Sequence, residues 1–252
     1  MADIRKITVA IAGNPNSGKT SIFNMLTGAR QHVGNYPGVT VEKNQGLCRY
    51  AGYEITVVDL PGTYSLTAYS IEELVARNFI VEERPDVVVD IVDASNIERN
   101  LYLATQLIEL NVPLVLAFNM SDIARQKGLL FDIEQLSMLL ETKIVRMVGN
   151  KNKGKKELLD AIIETAESSK KPRTHKISYG EEIEQEIEKI EKTLIDKKNP
   201  LIQKYESRWV AVKLLEQDAE LSEKIQDKEI ADAVSRKNRK VLVRKEGGAC
   251  TD

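Results

Sequence analysis

The stretch Gly13-Asn14-Pro15-Asn16-Ser17-Gly18-Lys19-Thr20 decides the fold of this chain. It reads G-x-x-x-x-G-K-[ST], and its flanks matter as much as its letters. Residues 7–12 form a short apolar run, and residues 21–27 carry apolar side chains at helical spacing. A strand, a glycine-rich loop and a helix start in this order predict a P-loop; the structural alternative is an ordinary Gly-rich turn before a helix.

A P-loop binds phosphates through its backbone N–H groups and through the positive end of the helix that follows. Lys19 is then placed to reach the β- and γ-phosphates, and the Thr20 hydroxyl is placed to bind Mg²⁺. The sequence around this loop therefore predicts a nucleoside triphosphate site.

The composition is that of a globular protein without a strongly charged surface. Of 252 residues, 42% are hydrophobic and 29% charged, and the formal net charge is −2. This balance argues against nucleic acid as the main partner. No apolar run approaches the ~18–20 residues of a membrane helix, and no signal peptide is visible, so the sequence predicts a soluble protein or a soluble fragment.

The cysteines and histidines form no ligand cluster. Cys48 and Cys250 lie far apart, as do His32 and His175, and none of them has the spacing of a metal or redox site. We therefore predict plain thiols in a reducing compartment, and no iron site in this chain.

Strands and helices alternate over the first 170 residues, which predicts a mostly parallel α/β sheet with helices on both faces. Strands are predicted at residues 7–12, 45–50, 53–59, 86–93, 113–119 and 143–148, and helices at 21–27, 70–82, 100–111, 133–140 and 155–168. Residues 29–38 are polar and interrupted by Gly and Pro, which predicts a mobile loop. Ser70 is predicted to cap its helix with Glu73 as capping-box partner, and Asp90 is an unexpected charge inside a central strand.

The composition changes after a polar linker at residues 168–174. Helical patterns follow at 181–196, 208–217 and 228–245 without a clear strand, and residues 247–252 are predicted to fray. The sequence thus predicts a nucleotide-binding domain at 1–170 and a small all-helical domain at 171–252.

Two further stretches follow the P-loop in the order that a GTPase needs. Asp59-Leu60-Pro61-Gly62 is a D-x-x-G at the end of a predicted strand, where open α/β sheets bind ligands. Asp59 would hold Mg²⁺ through water, and the Gly62 N–H would bind the γ-phosphate. Thr40 precedes it on the predicted loop and would complete the Mg²⁺ shell when a γ-phosphate is present.

Asn119-Met120-Ser121-Asp122 fits the guanine motif N-K-x-D except at Met120. The Asp122 carboxylate can accept hydrogen bonds from guanine N1–H and from the exocyclic amine, a donor pair that adenine lacks. An Asx turn at Asp122 is the structural alternative. A last base loop is predicted near residues 148–151, where the usual Ser-Ala is absent.

The predicted nucleotide-binding residues come from all of these loops. They are Gly13, Asn14, Asn16, Ser17, Gly18, Lys19, Thr20, Ser21, Gly38, Val39, Thr40, Asp59, Gly62, Asn119, Met120, Asp122, Val148, Gly149 and Asn150.

These motifs resemble those of the N-terminal G domain of the ferrous iron transporter FeoB family. The resemblance includes residues 35–43, 59–66 and 92–103 besides the P-loop, and residues from Glu181 onward resemble the family's helical guanine-dissociation-inhibitor domain. It implies a GTP-binding regulatory part of an Fe²⁺ transporter at the cytoplasmic face of the cell membrane. A membrane domain that is absent from this chain would be its partner, and a homo-oligomer is left open.

Two positions bear on the mechanism that the resemblance implies. Thr63 follows Gly62 where many GTPases have a water-orienting glutamine, which predicts slow GTP hydrolysis. Asn16 matches the position that helps to hold K⁺ in potassium-activated members, where the cation would stabilise the developing charge together with Lys19, Thr40 and Gly62. The alternative for Asn16 is a loop residue that bonds its own backbone.

Two other functions remain open at the level of sequence. A freestanding ribosome- or RNA-associated small GTPase shares the same motifs but would need a basic appendage. A P-loop ATPase would make Asp122 incidental.

Overall fold

The computed structural model of the chain describes residues 4–28, 31–67, 69–168 and 177–225. The chain divides into two compact units, Met1–Ile177 and Ser178–Asp252. The first unit is α/β and contains all the loops that the sequence singles out, and the described part of the second unit is helical. The expected fold class is therefore confirmed.

The strands of the first unit are, in chain order, β1 (Arg5–Gly13), β2 (Gln31–Asn35), β3 (Glu42–Tyr50), β4 (Tyr53–Asp59), β5 (Val87–Asp93), β6 (Leu114–Asn119) and β7 (Lys143–Arg146). They form one seven-stranded sheet in the order β2-β3-β4-β1-β5-β6-β7. The pairs β1–β4, β1–β5, β5–β6 and β6–β7 are parallel, whereas β2–β3 and β3–β4 are antiparallel. The parallel strands all end at one edge of the sheet, which is where the loops of interest begin.

The helices of the first unit are α1 (Lys19–Thr27), α2 (Ile71–Asn78), α3 (Ile97–Glu109), α4 (Ser121–Gln126), α5 (Ile133–Leu139) and α6 (Lys155–Ser168). The main apolar core includes Val89 and Ile91 of β5, Ile22 of α1 and Leu158 of α6. The alternate β5 residues are buried as well, so the strand is covered on both faces. This double burial explains why its sequence is a nearly continuous apolar run.

The prediction of a loop at residues 29–38 is wrong for the segment Gln31–Asn35. This segment is β2, and it pairs antiparallel with the first half of β3 at the edge of the sheet. Most of its described side chains are exposed, so the strand has no apolar alternation that a sequence pattern could reveal.

The prediction for Ser70 is confirmed, because its hydroxyl accepts a hydrogen bond from the Glu73 N–H at 3.1 Å and caps α2. The Glu73 carboxylate, however, accepts hydrogen bonds from Ser65 Oγ at 2.6 Å and from Thr67 Oγ1 at 3.1 Å. Glu73 thus ties α2 to the segment that follows the D-x-x-G instead of completing a capping box. The helical path beyond α2 continues as a π-helix over Phe79–Glu83.

Asp90 lies in the middle of β5 with 1% of its surface exposed. Its backbone pairs with Ala12 of β1 and with Leu116 of β6, so the carboxyl group is within the most buried part of the sheet. Burial raises the pKa of Asp90 to about 7. The charge that looked unexpected in the sequence is therefore a buried, easily neutralised carboxyl group.

The described part of the second unit consists of α7 (Glu181–Asp196), α8 (Leu201–Lys204), α9 (Ser207–Leu215) and α10 (Ala219–Lys224). Tyr205 and Trp209 stack with ring centroids 4.9 Å apart, and Trp209 is fully buried. Arg208 of α9 forms two hydrogen bonds to the Glu184 carboxylate of α7. The helix predicted at residues 228–245 and the frayed end at 247–252 lie outside the described residues, as does most of the predicted linker.

Candidate functional site

The P-loop connects β1 to α1 with a backbone conformation that only certain residue types adopt readily. Asn16 has φ 67° and Gly18 has φ 87°, both in the left-handed region. A Cβ atom on Gly18 would collide with the side chain of Asn119, so glycine is needed both for conformation and for space. The loop therefore lies directly against the segment that follows β6.

Lys19 is the first residue of α1, and its ammonium group points across the sheet edge to the D-x-x-G. Its Nζ lies 2.5 Å from Oδ1 of Asp59 and 2.6 Å from the carbonyl oxygen of Leu60. Asp59 is buried, which raises the pKa of its carboxyl group, while the charge of Lys19 opposes that rise. Two residues assigned to phosphate and Mg²⁺ binding from sequence are thus in direct contact.

The D-x-x-G segment is anchored to the end of β1. The N–H of Leu60 donates to the carbonyl of Ile11 at 2.9 Å, and the N–H of Thr63 donates to the carbonyl of Gly13 at 3.2 Å. Gly62 lies between these two anchors and next to the P-loop residue Pro15. The segment therefore follows the P-loop closely on its way to α2.

The loop that contains Thr40 contacts Asp59 through the side chain of Tyr36. The hydroxyl of Tyr36, a buried side chain, donates to the backbone carbonyl of Asp59 at 3.1 Å. The N–H of Tyr36 donates to the carbonyl of Val41 at 2.9 Å and closes a turn that includes Gly38, Val39 and Thr40. Thr40 itself is exposed, so Tyr36 and not Thr40 makes this loop's hydrogen bond to Asp59.

Asn119 joins the base motif, the P-loop and the last base loop. Its Nδ2 donates to the carbonyl of Ser17 at 2.8 Å, and its Oδ1 accepts from the N–H of Gly149 at 2.9 Å. Asn119 is 3% exposed, so both bonds are shielded from water and hold three loops in fixed positions.

The rest of the base motif continues directly into α4. Met120 has φ 57° and precedes the helix, and the N–H of Ser121 donates to the carbonyl of Met147 at 3.2 Å. The Asp122 carboxylate accepts a hydrogen bond from Lys151 Nζ at 2.6 Å, and this hydrogen bond lowers the pKa of Asp122. Asp122 is therefore an ionised, partly exposed acceptor beside the last base loop.

The last base loop is a tight turn after β7. Gly149–Lys151 forms a 3₁₀ turn that includes Asn150, and Val148 and Lys153 form a bridge with hydrogen bonds in both directions. This is the turn that the sequence predicts as the last base loop, although it lacks the usual Ser-Ala.

The structure also brings to the site residues to which the sequence analysis assigned no binding role. They are Tyr36 on Asp59, Lys151 on Asp122, Glu73 behind the D-x-x-G, and Arg99, whose carbonyl accepts from Asn14 Nδ2 at 3.2 Å. Two of them, Tyr36 and Arg99, lie in stretches quoted for the resemblance. Nothing in the sequence shows that Tyr36 meets the backbone carbonyl of Asp59 or that Lys151 meets the carboxylate of Asp122.

A seven-stranded, mostly parallel sheet with a P-loop after β1, D-x-x-G after β4 and N-x-x-D after β6 defines the class of P-loop GTPase folds. The family model described as ferrous iron transport protein B matches residues 7–162, and the model described as FeoB cytosolic helical domain matches residues 179–247. The chain belongs to the ferrous iron transport protein B family.

Curated relatives agree with this assignment. A Fe(2+) transport protein A/Fe(2+) transporter FeoB fusion protein of Porphyromonas gingivalis is 48% identical over 86% of this chain and 26% of the relative. The Fe(2+) transporter FeoB of Escherichia coli is 39% identical over 85% of this chain and 27% of the relative. The chain thus spans about a quarter of the length of these relatives.

A solved structure of the cytosolic domain of the T. maritima FeoB iron transporter in a GMPPNP form has a TM-score of 0.80 and 36% identity, and covers 98% of this chain and 100% of that one. The apo form of the same domain has a TM-score of 0.80 and 38% identity, and covers 91% of this chain and 86% of that one. None of the helices in the part of this chain that the structure describes has both the length and the apolar character that a membrane crossing requires.

Proposed function

We propose that this chain binds GTP and GDP with Mg²⁺ and hydrolyses GTP slowly. The observation that carries this proposal is the position of Asn119, whose side chain holds the P-loop and the last base loop at once. A phosphate loop and a base loop joined by one buried amide are arranged to bind the two ends of the same nucleotide.

The phosphate end is assigned to the P-loop and the start of α1. Backbone N–H groups from Gly13 to Ser21 would face the phosphates, and the ammonium of Lys19 would exchange its contact with Asp59 for the β- and γ-phosphates. The buried hydroxyl of Ser17, which has no hydrogen-bond partner in the described structure, is a further polar group next to this loop.

Mg²⁺ fits the donor atoms at this end of the site, because carboxylate and hydroxyl oxygens are the ligands that it prefers. Asp59 and Thr20 would hold it, with Thr40 joining when its loop closes over a γ-phosphate. The ion neutralises phosphate charge when bound, and Asp59, freed from Lys19, would orient its water ligands. Gly62 would donate its N–H to the γ-phosphate.

The base end is assigned to Asn119, Met120 and Asp122 together with residues 148–150. The ionised carboxylate of Asp122 would accept from guanine N1–H and from the exocyclic amine, which gives selectivity over adenine. Met120 would pack on the base in place of the lysine of N-K-x-D.

Slow, K⁺-stimulated hydrolysis is the finer part of the proposal. Thr63 is buried, and its N–H bonds to the P-loop carbonyl of Gly13, so this residue is not placed to orient a water molecule. Asn16 is exposed at the tip of the P-loop, where its side chain can help to hold a monovalent cation.

The chain spans about a quarter of the length of its curated relatives, which are named as Fe(2+) transporters. We propose that the whole protein likewise transports ferrous iron. The chain would then work at the cytoplasmic face of the membrane, with the transporter's own membrane domain as its partner. The alternative of a freestanding ribosome-associated GTPase gains no support from these relatives.

Calorimetric titration of the chain with GDP, GTP and ATP, with and without Mg²⁺, tests the proposal. We expect binding of both guanine nucleotides, tighter GTP binding with Mg²⁺, and ATP binding weaker by about a hundredfold or more. Equal affinity for GTP and ATP would favour the ATPase reading and would remove the role of Asp122.

A further inference from the structure

The Asp122 carboxylate already has a donor at each of its oxygens. Lys151 Nζ lies 2.6 Å from Oδ2, and the N–H of Ile123 donates to Oδ1 at 3.0 Å. Guanine would use the same two oxygens for its own pair of donors. Binding of the base therefore requires the Lys151 ammonium to leave or to share the carboxylate.

Lys151 is presented to Asp122 by a loop that is fixed in place. Its own N–H donates to the carbonyl of Val148 at 3.0 Å, and the N–H of Asn152 donates to the carbonyl of Gly149 at 3.2 Å. Gly149 is in turn held by the buried side chain of Asn119. Because the backbone is anchored this closely, the freedom of Lys151 lies in its side chain, which is 54% exposed.

We propose that Lys151 is a latch on the guanine subsite: it occupies Asp122 when no base is bound and gives way when guanine arrives. This inference rests on the proposed function. It assigns to Lys151 a role in setting nucleotide affinity, because only molecules in which Lys151 has left Asp122 present the Oδ2 atom without competition to the base. The apparent dissociation constant for GDP is then raised by the reciprocal of the open fraction.

The size of the effect follows from the exposure of the pair. The side chains of Asp122 and Lys151 are 28% and 54% exposed, and ion pairs of this kind contribute little to stability. Opening of the latch therefore costs little free energy, and its removal should tighten GDP binding about two- to fivefold. The gain should appear in the association rate constant and should shrink at high salt, where the pair is screened.

Long-range electrostatic attraction predicts the opposite change in GDP affinity when Lys151 is removed. The direction of the measured change therefore distinguishes the two effects. A lysine near a site for a polyphosphate attracts the ligand, so its removal should weaken binding unless the lysine competes with the base. Lys153 lies two residues further along the same loop and is exposed, and it provides the matched control for charge.

The experiment measures GDP binding to the chain by stopped flow and calorimetry for the wild type and for the variants Lys151→Met, Lys151→Arg and Lys153→Met. Lys151→Met should bind GDP about two- to fivefold more tightly, Lys151→Arg should stay near the wild type, and Lys153→Met should show equal or weaker binding. In an Asp122→Asn background, Lys151→Met should gain nothing, because the latch has lost its partner.

Equal or weaker GDP binding by Lys151→Met would overturn the latch, as would the same gain in the Asp122→Asn background. A wild-type chain that binds no guanine nucleotide would instead overturn the proposed function itself. The two failures are therefore distinguishable from the wild-type titration alone.

Discussion

Asp122 is the residue proposed to give the site its selectivity for guanine. Exchanging its carboxylate for the amide of Asp122→Asn turns two acceptors into one acceptor and one donor, which suits xanthine better than guanine. We expect GDP affinity to fall by about tenfold or more and xanthosine diphosphate affinity to rise. Titration of both nucleotides in a calorimeter checks this, and unchanged GDP affinity would remove Asp122 from the base site.

Asp90 makes the stability of the first unit depend on pH. Burial raises its pKa to about 7 in the folded chain, whereas an unfolded Asp titrates near 3.9. Between these values the folded state keeps a proton that the unfolded state has lost, so this group's contribution to stability falls as the pH rises from about 4 to about 7.

Asp90→Asn should remove this dependence, because the amide never ionises. The unfolding free energy of the variant relative to wild type should be larger near pH 8 than near pH 5 by roughly 1–3 kcal/mol. Urea unfolding of both proteins at the two pH values measures the difference. An identical difference at both pH values would show that ionisation of Asp90 is not its cause.

At the scale of elements, α1 and the loop between β2 and β3 are proposed to respond to different nucleotide states. Lys19→Ala should weaken both GDP and GTP binding, because it removes a phosphate-binding charge at the start of α1. Thr40→Ala should spare GDP and mainly slow hydrolysis, because the exposed Thr40 is proposed to join the Mg²⁺ shell only when a γ-phosphate is present. Equal loss of GDP and GTP affinity in Thr40→Ala would contradict a role of this loop that depends on the γ-phosphate.

The P-loop should also respond to monovalent cations. We expect K⁺ to raise kcat by about tenfold, which corresponds to about 1.4 kcal/mol at the transition state, and Na⁺ to substitute poorly. Asn16→Ala should abolish the difference. Phosphate release at constant ionic strength, with KCl exchanged for NaCl, is the measurement, and equal wild-type rates in the two salts would contradict the role of K⁺.

Elements with a strong local pattern were predictable from the sequence, and their tertiary contacts were not. The P-loop, Asp59 and Asn119 follow strands whose apolar runs mark them as buried and parallel, so their meeting at one sheet edge could be expected. The strand β2 could not be predicted, because its described side chains are exposed and only its hydrogen bonds to β3 make it a strand. The contacts of Tyr36 and Lys151 depend on loop paths, which no residue spacing encodes.

At the scale of the molecule, the described contacts of the proposed site all lie in the unit Met1–Ile177. We propose that this unit is the nucleotide-binding domain, with its boundary slightly beyond the expected residue 170. A chain of residues 1–177 should therefore bind GDP within about twofold of the affinity of the full chain. A large loss of affinity in a piece that still unfolds cooperatively would show that residues 178–252 contribute to binding.

The central position of β1 has a consequence for synthesis of the protein on the ribosome. The P-loop strand is made first, but its neighbours β4 and β5 come much later, and Asn119 and Gly149 complete the loops around it. At a synthesis rate of roughly 5–20 residues per second, on the order of 7–30 s pass between completion of the P-loop and addition of residue 149. A nascent chain therefore cannot complete the proposed nucleotide site until most of this unit has left the exit tunnel, and until then its apolar first strand lacks both of its neighbours in the sheet.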